Sequence, residues 1–263
     1  MFLFARYFFS FCVSHSLVCA LVPVRVLNLL DHGKIPYGEA WKWQQQLLDH
    51  HVSLQGESSS LAGTILILEH EPVYTLGTAT TEGSGPFHPS SAKLPFDSFE
   101  VERAGEATYH GPGQLVVYPI LDLTFFEKDI NKYLRRMEQV VIDSIVKMGT
   151  NHLHHPPKKV GRIEGLTGVW VDDEKVAAMG IKLRRWVTMH GVSINVDPDM
   201  AYFNNIVPCG IRDKGVTSLR KLGLDTSLQG YSRVYWECFE EHFGVKAEMI
   251  MDSKASSELL ASL

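Results

Sequence analysis

The sequence is poor in cysteine, carries no excess of positive charge, and has no acidic residue at all in its first 30 positions. Four cysteines in 263 residues cannot build the disulfide framework of a small secreted domain. Cys12 and Cys19 fall in an unusual N-terminal stretch, and the remaining pair, Cys209 and Cys238, lack metal-ligand spacing. A reducing compartment and no metal site are the simpler expectations. A net charge of −5 argues against a nucleic-acid partner. Outside the leader no apolar run is long enough to cross a bilayer, and inside it Arg6, Ser10, Ser14, His15 and Ser16 interrupt the run, so no membrane association is expected. The missing acids, together with Arg6, Arg25 and several serines, are the composition of an organelle transit segment, favoured over a secretory signal or a misassigned start. No internal repeat is present.

What remains is 45% hydrophobic, enough for one well-buried domain or two small ones. The reading divides the chain into a transit segment (1–25), a catalytic domain (26–245) and a C-terminal tail (246–263), the last a short helix or a frayed end. Tyr37, Trp41, Gln44, Leu48 and His51 or Val52 recur at the helical period. Thr64–His70 and the stretch "QLVVYPILDL" are β-branched, apolar runs that read as buried strands. The clearest helix runs from Asp129 to Met148, with Ile130, Tyr133, Leu134, Met137, Val140, Val141, Ile145 and Met148 as one apolar face. Asp129 caps its start and Gly149 its end. "LTGVWVDDEKVAAMGIKL" predicts a hairpin turning at Asp172-Asp173-Glu174, and "WVTMHGVSINV" a further strand. "SRVYWECFEEHFG" closes as an amphipathic helix with Cys238 on its core face. Helices mixed with consecutive strands predict an α+β fold rather than a βαβ repeat. The Gly/Ser/Pro-rich run 81–95 reads as a long loop.

Three stretches have a composition suited to chemistry. In "FNNIVPCGIRDKG" Cys209 stands between Pro208 and Gly210, at a chain reversal rather than in an apolar element, as a thiol to be presented would be. In "RAGEATYHGPGQLVVYPILDL" Gly111 and Gly113 flank Pro112 after His110. Glycines let backbone N–H groups approach a carbonyl or anion, although Gly-Pro-Gly also marks ordinary turns. In "EKVAAMGIKLRRW" Lys175 precedes small residues that leave room for a channel. A lone lysine beside a turn is normally solvated; near a thiol it favours the thiolate. His152, His154 and His155 lack ligand spacing on a regular element and read as a solvated loop. Lys182, Arg184, Arg185, Arg212, Lys214, Arg220 and Lys221 gather basic charge on an acidic chain, either as solvated surface or as a patch for an acidic partner.

Taken together and in order, "RAGEATYHGPGQLVVYPI", "KVAAMGI", "MHGVSINV" and "IVPCGI", with "EHEPVYTLG" ahead of them, resemble the lipoyl(octanoyl) transferase family over about Val26 to Phe243. One departure is visible: Ala104 stands where the family has the first glycine of a pair after Arg103, while Gly105 is kept. "IPYGEAWKWQ" and "EGLTGVWV" resemble plant plastid members, which with the leader implies a plastid location, the mitochondrion being the alternative. The resemblance implies a mixed sheet with packed helices of the biotin/lipoyl protein ligase catalytic-domain type, related to class II tRNA synthetase cores, with its helices on one side.

It also implies a reaction without cofactor or metal. Octanoyl-acyl carrier protein is the donor. Lipoyl domains of 2-oxoacid dehydrogenase E2 subunits are the acceptors, with glycine cleavage H protein a further one left open. Cys209 would hold the acyl group as a thioester, and Lys175 would assist it and later take a proton from the incoming amine. Arg103, Ala104, Gly105, Glu106, Ala107, Thr108, Tyr109 and His110, with Ala178, Met179, Gly180, Gly191, Val192 and Ser193, match family positions around the acyl chain. The rival readings are an ATP-dependent lipoate or biotin ligase, a lipoyl amidotransferase, and a non-catalytic acyl-carrier binder. The absent Gly-Arg-Gly-Arg loop weighs against a biotin ligase, and the "HGPGQ" stretch against an amidotransferase.

Overall fold

The computed structural model describes residues 21–56, 61–80, 94–152, 159–206, 214–250 and 253–262. Its elements are β1 (Val22–Asn28), β2 (Lys34–Ile35), α1 (Tyr37–Ser53), β3 (Gly63–His70), β4 (Val73–Leu76), β5 (Ser98–Glu100), β6 (Ala107–His110) and β7 (Gln114–Leu121). Then follow α2 (Ile130–His152), β8 (Val160–Ile163), β9 (Leu166–Val171), β10 (Glu174–Arg184), β11 (Val187–Asn195), β12 (Gly215–Val216), α3 (Leu228–Phe243), β13 (Val245–Ile250) and α4 (Ser253–Ser262).

Strand pleating explains the layers. Successive side chains of β3 and β7 point to opposite faces, and both faces are buried. Ile65, Ile67, Leu115 and Val117 join a core with α2 and α3. Leu66, Leu68, Val116 and Tyr118 join a second core with α1 and Leu260 of α4. The main sheet is mixed, in the order β13-β1-β3-β7-β11-β10-β9-β8, with β12 beside β10 and β2 beside β3. A separate three-stranded sheet, β5-β4-β6, stands apart from it. The α+β class and mixed sheet agree with the sequence reading, but the helices pack on both faces, not one. A sheet apolar on both sides needs cover on both.

Local chemistry sets several helix ends. Asp129 Oδ1 accepts from Lys132 N at 3.0 Å and caps α2, while Ser227 Oγ accepts from Gly230 N at 3.0 Å and caps α3. Gly244, with φ +61°, ends α3 in the left-handed conformation. Two details of α2 differ from expectation. Gly149 does not stop it, since a mid-helix glycine weakens a helix without breaking it, and the helix continues to His152. Ile130 is exposed, because the first turn precedes the contact with the sheet.

The β9–β10 hairpin turns at Asp172-Asp173, Glu174 being already in the strand. The domain limits also shift. β1 begins at Val22, ahead of residue 25, and the segment assigned to a tail supplies β13, which pairs in parallel with β1. The rest of the leader, most of the 81–95 loop, His154, His155 and Cys209 lie outside the described residues.

Candidate active site

The site forms on the α1 face of the sheet, where β6, β10 and β11 converge. Along β6, Thr108 and His110 face a cavity, while Ala107 and Tyr109 face the other way into a cluster with Tyr74, Phe203 and Ile206. Alternation therefore removes Ala107 and Tyr109 from the expected set of acyl-contacting side chains. Arg103, Gly105 and Glu106 line the same cavity, with Ala178, Met179 and Gly180 of β10 and Gly191, Val192 and Ser193 of β11. Ala104 is exposed and not part of the lining.

The Ala104 departure has a simple physical account. Positive φ falls on Gly105, at +93°, and not on residue 104, so an alanine there adopts ordinary backbone geometry. Ala104 N donates to Ile181 O at 3.0 Å, fastening the loop to β10. A Cβ at Gly180 would lie 2.7 Å from Ala104 O, so this close crossing requires a glycine on the β10 side.

Lys175 is buried, not solvated, and a bulge puts it in the site. Pairing between β10 and β9 shifts register between Lys175 and Ala177. Val176 and Ala177 consequently both face the α2/α3 core, and Lys175 emerges on the opposite face with Ala178. There it lines a small second pocket with Gln114, Asn195, Phe203 and Val216. The two cavities share Thr108, Ala178 and Ser193 as walls. Lys175 Nζ lies over the Trp170 ring. Thr217 N donates to Lys175 O at 3.0 Å, so β12 is held against the lysine.

The cavity contains groups that sequence reasoning left out: Tyr37, Val116, Tyr118 and His190. His70 Nδ1 donates to Ile35 O and its Nε2 accepts from Tyr118 Oη, both at 2.8 Å. Burial lowers the His70 pKa to about 4. Burial, then the neighbouring His70, holds His110 well below the ordinary histidine value. Burial, then Arg103, lowers His190 to about 4. The cavity is thus walled by neutral imidazoles at neutral pH. His190 has φ +62°, a strained value for histidine, and lines the cavity although Val192 and Ile194, its pleat-mates, join the opposite core. The quoted "MHG" was the available signal for it; nothing local marked Tyr37 or Tyr118.

The basic residues do not form one open patch. Lys182 pairs with Glu102, Arg184 with Asp49, Lys214 with Asp173, and Arg220 with both Asp197 and Asp225. Arg212 lies outside the described residues. Among the described residues no helix is long and apolar enough to cross a membrane.

Comparisons place this geometry among known proteins. A family model for the Lipoyl protein ligase A/B catalytic domain matches residues 36–239. The chain is 42% identical to an octanoyltransferase of Gloeobacter violaceus, over 84% of this chain and 91% of that one. It is 43% identical to a chloroplastic octanoyltransferase of Arabidopsis thaliana, over 72% of this chain, and spans 64% of the length of that relative. Among solved structures, lipoate-protein ligase A bound with ATP superposes with a TM-score of 0.62 at 14% identity, covering 92% of this chain and 94% of that one. A bi-partite lipoate protein ligase from Thermoplasma acidophilum gives a TM-score of 0.62 at 13% identity, covering 92% of both chains. At that identity the structural likeness speaks for the fold. The sequence relatives carry the assignment further: the chain belongs to the lipoyl protein ligase A/B catalytic-domain family, and within it to the octanoyltransferases, which are acyltransferases.

Proposed function

We propose that this chain moves an octanoyl group from octanoyl-acyl carrier protein to a lysine of lipoyl domains, through a thioester on Cys209. The acceptors are the lipoyl domains of 2-oxoacid dehydrogenase E2 subunits and glycine cleavage H protein. The observation that carries the reading is the shared wall between the large cavity and the Lys175 pocket. An acyl chain in the first brings its carbonyl to the second, past Thr108, Ala178 and Ser193. Phe203 and Val216, on either side of the cysteine-bearing segment, line that same pocket.

In the first step the Cys209 thiolate attacks the carrier thioester, a new C–S bond forms, and the carrier thiol leaves with a proton. Thiol for thiol is nearly balanced, so the acyl group keeps its activation and no ATP is required. In the second step a neutral lysine amine attacks, the C–S bond breaks, and the amide product makes transfer downhill. Lys175 assists the thiolate and then accepts the proton released by the amine. Val116, Met179 and Val192 give the chain apolar contact worth about 0.8 kcal/mol per methylene buried. Neutral His110, with both ring nitrogens facing protein partners, places no charge beside the alkyl chain, and the Gly-rich backbone from Arg103 to Gly113 offers polar groups to the carbonyl. The acid-free leader and the chloroplastic relative support a plastid location.

The test is the intact mass of the leaderless protein after incubation with octanoyl-loaded acyl carrier protein, without ATP. One added octanoyl group, labile to hydroxylamine and absent from Cys209→Ser, is expected, with slow or no loading of Lys175→Ala. An ATP requirement, or no adduct on folded protein, rejects the thioester route in favour of a ligase.

A further inference from the structure

Gln114 and Asn195 are paired at the ends of adjacent strands, β7 and β11, and both are buried. Each lines the Lys175 pocket, and neither has a role in the reaction described above. Each amide oxygen and nitrogen has a partner, in an arrangement that fixes direction. Asn195 Nδ2 donates to Thr217 O at 3.0 Å, and a carbonyl can only accept. Asn195 Oδ1 therefore faces Gln114 Nε2, which donates to it at 2.9 Å and to Tyr109 O at 3.1 Å. That leaves Gln114 Oε1 as an acceptor for His110 Nδ1 at 2.7 Å. His110 must carry its proton on Nδ1, and its Nε2 is bare, 3.5 Å from Thr75 Oγ1. Thr75 Oγ1 already accepts from Arg103 Nη2 at 2.9 Å, so its own proton is free to point at His110.

Every link thus donates the same way, from the donor-only Arg103 through Thr75, His110, Gln114 and Asn195 to the acceptor-only Thr217 O. Thr217 in turn holds Lys175 through its backbone. Links of one polarity reinforce one another in a low-dielectric interior.

We propose that Gln114 and Asn195 are positioning residues for the transfer reaction: their amide pair fixes the His110 tautomer in the acyl cavity and locks the Lys175 strand to that cavity. The proposal rests on the octanoyl-transfer reading for its kinetic consequences, and on geometry alone for the tautomer. Gln114 completes the "HGPGQ" stretch and Asn195 ends β11, and their conjunction is a property of the fold.

The test has two arms on the folded, leaderless protein. The first records imidazole nitrogen chemical shifts of His110 by NMR in the wild type, Gln114→Ala and Gln114→Glu. The Nδ1–H tautomer is expected in the wild type and in Gln114→Glu, which keeps the acceptor oxygen, and a mixture in Gln114→Ala. A wild-type His110 protonated on Nε2 overturns the proposal whether or not the protein transfers octanoyl groups. The second arm measures kcat and KM for octanoyl-acyl carrier protein in Gln114→Ala, Asn195→Ala, Asn195→Asp and the double alanine variant. The singles should lose kcat by about tenfold with KM within about twofold. Asn195→Asp, which keeps the shape but cannot donate to Thr217 O, should lose as much as Asn195→Ala. The double variant should be no slower than the slower single, because both cut one chain. Losses that multiply, or that appear in KM alone, overturn the proposal. Absence of any octanoyl transfer by the wild type would reject the parent reading and leave the first arm to decide this one.

Discussion

Lys175 Nζ stands 4.7 Å from the centre of the Trp170 ring, with the two residues register partners across β10 and β9. An ammonium over an indole face gains about 0.5 to 2 kcal/mol when shielded from water. Trp170 Nε1 is buried without a hydrogen-bond partner among the described residues, so the ring is kept for its face and not its N–H. Trp170→Phe should therefore fold with near-native stability and keep transfer within a few-fold. Trp170→Ala should lose about 3 to 5 kcal/mol in urea unfolding and at least tenfold in rate. Equal damage from both variants would contradict the ring-face role.

Glu138 is the buried anchor beneath the same region. Its carboxylate accepts from Gly168 N at 3.0 Å and from Arg135 Nη1 and Arg162 Nε, both at 2.7 Å. Removing the carboxylate leaves the buried Gly168 N–H unmet and takes a shared anion from two partly exposed guanidinium groups. Glu138→Ala should cost about 1 to 3 kcal/mol in chemical denaturation, beyond the cost of losing an exposed pair such as Lys147–Glu237. Similar small losses for Glu138→Ala and Glu237→Ala would refute this.

Stability should fall between neutral and mildly acidic pH. His51, His70 and His190 each have pKa lowered from 6.5 to about 4, in each case mainly by burial. In the range between those values the unfolded chain binds protons that the folded chain does not. The stabilisation is complete above pH 6.5 and is lost as pH falls toward about 4, at up to about 1.4 kcal/mol per pH unit for each histidine. Urea unfolding at pH 7.5, 6.5 and 5.5 measures the slope, and His70→Phe should lower it by about one proton. A flat profile across that range would mean these histidines bind protons equally well when folded.

At the loop crossing, the two residues should respond oppositely to small changes. Gly180→Ala places a methyl 2.7 Å from the backbone oxygen of Ala104, a residue whose N–H is tied to β10, so transfer should drop at least tenfold. Ala104→Gly restores the family glycine where φ is ordinary, so activity should stay within twofold and stability should fall by less than about 1 kcal/mol. A large gain in rate from Ala104→Gly would show that residue 104 shapes the acyl cavity after all.

The helices α1, α2 and α3 and the strands β3, β7, β10 and β11 were legible because their periodicity is written locally. The strands β8 and β13 were not: β8 is short and half-exposed, and β13 resembles a tail until β1 pairs with it. The β5-β4-β6 sheet depends on segments well separated in the sequence. In the site, small residues on β10 and β11 announced close approaches, and the resemblance supplied their context. Lys175 was ambiguous because a bulge, invisible in the sequence, decides which face it takes. Tyr37, Tyr118 and the Gln114–Asn195 pairing were missed because tertiary packing, of α1 onto the sheet and of β7 beside β11, assembles them. Cys209 rests on its Pro-Cys-Gly setting and on Phe203 and Val216, which precede and follow it in the chain and line the Lys175 pocket.

The pairing of β1 with β13 joins the first and last strands of the described residues. Val22 faces Val245, and the register runs in parallel to Leu27 and Ile250. During translation the outer edge of β1 has no neighbour until almost the whole chain has left the ribosome. The sheet cannot close vectorially from its N-terminus, and a nascent chain stays short of its native state until β13 arrives. The edge of β1 stays open until the end of the chain is available, so folding is completed by the segment made last.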